Sequence, residues 1–175
     1  MRARARVSGS GMLQPGGGMD LSPLHVHLML NHMPLLGTLA AALLLGWGLV
    51  RRAPEVLRVG LIAAILVALL TIPVYLTGEP AEHALRDRIP DMDRDIAHEH
   101  EERGELTFIV MLVTGALGAV ALWRGRVAGE PGRGWSGLVC AALVVCFALF
   151  AWTALIGGQI RHTELRAHPP PLTGT

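Results

Sequence analysis

Charge is scarce in this chain and nearly balanced. Charged side chains make up 17% of its 175 residues, and the formal net charge is +1. There is no basic excess of the kind that holds a phosphate backbone, and none of the usual nucleic-acid motifs, so nucleic acid is excluded as a partner. Cysteine is scarcer still. Cys140 and Cys146 stand six positions apart in one apolar run. A helix points them in different directions, so they read as small packing residues, neither a disulfide nor a redox pair. The features of a cleaved leader are also lacking. Arg2, Arg4 and Arg6 lead into a Gly-rich stretch, and the first apolar run ends at Val50-Arg51-Arg52 without a small-residue cleavage site. The first helix is therefore expected to be retained.

Apolar residues are plentiful: 51% of the chain is hydrophobic, with a mean hydropathy of +0.45. That is too apolar for an ordinary soluble domain of this length. A helix crossing ~30 Å of hydrocarbon needs about 20 largely apolar residues. Four stretches meet this requirement, at residues 24–50, 59–77, 106–123 and 135–160, and none shows the polar face of a soluble amphipathic helix. The expected fold is all-α, an integral-membrane antiparallel four-helix bundle over residues 23–164. It is flanked by a disordered tail at 1–22 and a C-terminal tail at 165–175. Ser22-Pro23 suits a helix start, and Pro34 and Pro73 should bend the first and second helices. Pro90-Asp91 can open a helical extension, residues 91–105, that runs into the third span.

The connections at Arg51–Arg58 and Arg124–Gly134 each hold three arginines and one acid, whereas Gly78–Glu105 holds ten acids against four arginines. By the positive-inside rule the two short connections are cytoplasmic, and the long one lies outside with both termini. Trp47, Trp123 and Trp135 then fall at the cytoplasmic interface.

All eight histidines lie on the expected outer side. His32 should sit about two turns inside the first helix, where an unpartnered polar ring is costly. Membrane helices pack through small residues, which offers a test of facing. His100, Gly104, Thr107, Met111 and Gly118 share one stripe of the third helix. Gly137, Val144, Ala148, Ala151, Gly158 and His162 share one of the fourth. These stripes turn His100 and His162 inward. His98, Glu102 and Glu105 form a separate, solvated face. On the first helix two faces compete, His25-Met29-His32 and His27-Asn31.

Histidines converging from three helices suit a bis-histidine haem b, with His32, His100 and His162 as the cofactor-binding candidates. They equally suit a transition metal held by His32, His100 and His162 with Glu82 and Glu101. For any one of them the plainer reading is a polar anchor at the interface.

Four segments carry a resemblance. Leu30-Asn31-His32-Met33-Pro34, Tyr75-Leu76-Thr77-Gly78-Glu79-Pro80-Ala81-Glu82, His100-Glu101 and Gly157-Gly158-Gln159-Ile160-Arg161-His162-Thr163-Glu164 resemble those of a family of four-helix bacterial integral membrane proteins with no assigned activity. More distantly, the chain is similar to domain-of-unknown-function membrane proteins suspected of binding haem b. The resemblance implies a bacterial inner-membrane protein. The expected role is electron transfer between quinol and a periplasmic carrier; the alternative is a non-catalytic membrane subunit whose polar cluster only fixes helix ends.

Overall fold

The computed structural model describes residues 23–86 and 93–161. All secondary structure among them is helical. Both tails, the Ser22 cap, Pro90-Asp91 and His162 lie outside the described residues. Six helices follow in order: α1 Pro23–Leu30, α2 His32–Arg51, α3 Pro54–Leu76, α4 Gly78–Arg86, α5 Arg94–Ala128 and α6 Arg133–Arg161.

Two breaks divide what would otherwise be single long helices. Pro34 has no N–H to offer the carbonyl four residues back, and the chain turns at Asn31 between α1 and α2. At the second break, Gly78-Glu79-Pro80 does not end the helix. Thr77 alone interrupts it, its N–H bonded to the Pro73 carbonyl, and α4 resumes at once. Asp93 caps α5 by accepting from the Asp95 and Ile96 N–H groups. From there α5 runs unbroken for 35 residues, or ~52 Å at 1.5 Å per residue. It takes in residues 94–105 and the third apolar stretch together.

Four helical stretches are long and apolar enough to cross a membrane: His25–Arg51, Pro54–Arg86, Arg94–Ala128 and Arg133–Ile160. Their contacts close a ring, α2 on α3, α3 on α5, α5 on α6 and α6 on α2, while α1 packs against α4 at one end. The ring encloses Ala41, Leu45, Leu57, Leu61, Ala64, Met111, Val139, Leu143 and Cys146. Close approach depends on missing side chains: a Cβ on Gly60 would meet Leu45 Cγ at 2.7 Å, and one on Gly115 would run into Ala68 Cβ. Threonines inside the ring satisfy themselves locally. Thr38, Thr71, Thr107 and Thr114 each donate to the carbonyl four residues back.

The outside carries the bulk. Leu36, Leu43 and Val50 are 61%, 64% and 78% exposed, while Thr38, Ala41 and Gly48 on the same helix are buried. Small and hydroxylated residues share the interior with Leu45, Leu57, Leu61, Met111, Val139 and Leu143, while the outside is covered with exposed large aliphatic side chains. A soluble helix carries polar residues on its exposed face.

Candidate functional site

The histidines gather at one end of the ring, where α1 and α4 meet the end of α3, the start of α5 and the end of α6. His27 on α1 is the deepest described ring of the first segment. Its Nδ1 donates to the Val74 carbonyl at 3.1 Å and lies 3.3 Å from Thr77 Oγ1. The interruption of α3 at Thr77 creates this seat, and a Cβ on Gly78 would stand 3.7 Å from His27 Cε1, an ordinary contact. Asn31, one turn further along the same face, keeps a buried Oδ1 without a hydrogen-bond partner.

His100 on α5 is held in the same way. Its Nδ1 donates to the Thr153 carbonyl of α6 at 3.0 Å. Thr153 Oγ1 in turn lies 3.2 Å from Thr107 Oγ1, so α5 and α6 are tied by two neighbouring polar contacts. The ring lies flush on Gly157, where an added Cβ would stand 2.8 Å from His100 Cε1 and 3.0 Å from Nδ1. Beside it, the Arg103 guanidinium covers the Trp152 ring at 4.3 Å, with its Nε buried and unpartnered.

A carbonyl oxygen can only accept, so Nδ1 carries the proton in both rings. The neutral tautomer therefore leaves each Nε2 with a free lone pair. His100 is close enough to His27 on α1 and to Glu82 on α4 for their charges to interact. Two oriented imidazoles and a carboxylate thus come from three helices.

The five expected site residues fare differently. His100 faces inward, as its stripe requires. Glu82 is half-buried and pairs with Arg86, its own i+4 neighbour. Glu101 is exposed and its carboxylate stands 3.9 Å from the solvated His98. His32 is exposed on α2, with His25 and Met29 on the same outer side. His162 is outside the described residues, so its part in the set rests on sequence alone. Among the described residues no three of His, Cys, Asp and Glu stand close enough together to hold a metal ion.

No family model, curated protein or solved structure matches the chain.

Sequence reasoning placed the fourth-helix stripe one residue off. Gly137 and Gly158 face open space, and Val144 and Ala148 are exposed. The packed stripe is Ser136, Val139, Leu143, Cys146, Thr153 and Gly157. Small residues lie on both faces of α6, so size alone did not choose between them. What does distinguish the packed face is its hydroxyls and thiol, which find partners on neighbouring helices, as Cys146 Sγ does with Thr114 Oγ1 at 3.3 Å. Thr153 is the one residue here that the sequence did not single out; His27 stood on one of the two competing faces of the first helix, and Gly157 in one of the segments that carry the resemblance.

Proposed function

We propose that the chain is a bacterial inner-membrane protein, an antiparallel four-helix bundle with both termini on the periplasmic side, belonging with the family it resembles. In this reading His27 and His100 present a ligand pair at the outer end. The exposed large aliphatic side chains along every span support the membrane. The one observation that carries the ligand reading is that both Nδ1 atoms are tied to carbonyls of other helices. This is how proteins fix the tautomer and direction of a ligating histidine.

The donor set fits some groups better than others. His27 and His100, whose free Nε2 atoms come from different helices, would be the residues to hold a haem b. A transition metal needing three protein ligands has no such group among the described residues. When bound, a haem iron would supply one-electron chemistry, passing electrons between quinol and a periplasmic carrier. The chain's own residues do the rest. Val74 and Thr153 orient the rings, Gly157 makes room for His100, and Glu82 adds a negative charge near His100.

A second reading is favoured by the same bonds. His27 ties α1 to α3, and His100 ties α5 to α6, so the pair can serve as a clasp with no cofactor. Absorption spectroscopy and metal analysis of the purified protein separate the two. A Soret band lost in His27→Ala and His100→Ala but kept in His32→Ala supports the ligand pair. No Soret band and no stoichiometric metal in the wild type leaves the clasp.

A further inference from the structure

At the opposite end of the ring from the histidines, the two arginine-rich connections come together. Arg58 Nη2 donates to the Gly129 carbonyl at 2.7 Å, and Arg133 Nη2 to the Leu49 carbonyl at 3.1 Å. The α2–α3 turn is thereby sewn to the α5–α6 turn. Between them lies a cavity of about 200 Å³ lined by Arg52, Pro54, Leu57, Glu130, Pro131 and Arg133. That is below the ~300–1,000 Å³ of sites for drug-sized ligands, so it takes one small group.

Its chemistry favours an anion. Arg52 and Arg133 are both in the wall, and neither is ion-paired among the described residues. Pro54 and Arg133 are the first residues of α3 and α6, so two helix N-termini add positive potential on the same side. Arg52 also stands where the backbone gains nothing from arginine. It terminates α2 in the left-handed conformation, φ 52° and ψ 42°, with its N–H bonded to the Gly48 carbonyl, a position that glycine fills with less strain. Glu130 is the one acid in the wall and opposes the two guanidiniums.

We propose that this cavity binds a phosphate group, through the Arg52 and Arg133 guanidiniums. An anionic lipid headgroup and free phosphate share that chemistry. The site is separate from the histidine cluster and stands whether or not those rings hold a cofactor.

The test is native mass spectrometry and thermal stabilisation of the detergent-purified full chain. The probes are inorganic phosphate, short-chain phosphatidylglycerol and phosphatidylcholine. Arg52→Gly removes the charge where glycine is the easier residue, so folding should hold or improve while binding weakens about tenfold or more, the loss of one charge-assisted hydrogen bond. Glu130→Gln should instead tighten binding. Phosphatidylglycerol adducts without phosphate binding identify a lipid headgroup, and saturable phosphate binding identifies the free anion. In either case loss in Arg52→Gly and gain in Glu130→Gln support the proposal. Binding equal to that of phosphatidylcholine, or unchanged in both variants, overturns it.

Discussion

Gly157 and Gly158 are adjacent in the same helix, and the structure assigns them opposite roles. A methyl at Gly157 would stand 2.8 Å from His100 Cε1 and 3.0 Å from Nδ1, whereas one at Gly158 meets nothing within 4 Å. The imidazole cannot simply swing aside, because its Nδ1 is bonded to the Thr153 carbonyl one turn before Gly157. Gly157→Ala must therefore displace the ring and forfeit that bond. Leaving a part-buried polar group unsatisfied costs about 1–3 kcal/mol. Both glycine-to-alanine changes gain the same ~0.5–1 kcal/mol of helix preference, which cancels when the two are compared. Gly157→Ala should thus be about 1–3 kcal/mol less stable than Gly158→Ala, read from unfolding midpoints in mixed micelles. Combining Gly157→Ala with His100→Ala should remove most of this penalty, since the methyl then occupies space the ring has vacated. Equal stability of the two single variants, or no recovery in the double variant, would refute the ring-on-glycine contact.

Two further outcomes follow from the packing and the charge distribution. Gly115→Ala puts a methyl into Ala68 Cβ, which has no rotamer by which to yield, so α3 and α5 must part. We expect a loss of about 1–3 kcal/mol in the same unfolding assay, with Gly104→Ala, which faces open space, as the neutral control. Single cysteines at Ala53 and Glu130, in a chain lacking Cys140 and Cys146, should resist membrane-impermeant reagent added to intact cells, while one at Glu79 should react. The reverse pattern would invert the proposed orientation.

The four long apolar helices were legible because soluble folds seldom hold uncharged runs of this length. Their ends were less so. The second apolar run stops at Thr77, yet helix continues to Arg86, because a single threonine can bond its hydroxyl and N–H to the preceding turn and let the next turn restart. The polar residues 94–105 of α5 carry no hydropathy signal, and an extension there is expected from the helix-start pattern alone. His98, Glu101 and Glu102 stay exposed in it and, among the described residues, pair with one another.

The histidine that matters on the first segment was legible too, by a criterion other than depth. Depth favours His32, but depth along a helix says nothing about which way a residue faces. Facing is set in the middle of the helix, where Gly48 and Ala41 allow close approach and the ring buries Pro34, Thr38, Ala41, Leu45 and Gly48. Those positions alternate by three and four, the period of helices packed at a shallow angle. Carried back by the same steps, the stripe reaches Asn31 and then His27, and passes over His32. The break at Asn31 does not disturb this phase. Its backbone remains right-handed helical at φ −59° and ψ −28°, and its N–H still bonds to the His27 carbonyl. On α5 the same phase runs from Met111 through Thr107 to His100 and Ala97, and on α6 from Leu143 through Cys146 to Thr153 and Gly157. The polar groups that meet at the histidine end of the ring are therefore those in phase with the core. For His27 and His100 that phase, and not proximity to the apolar run, makes each ring reach a carbonyl on a neighbouring helix.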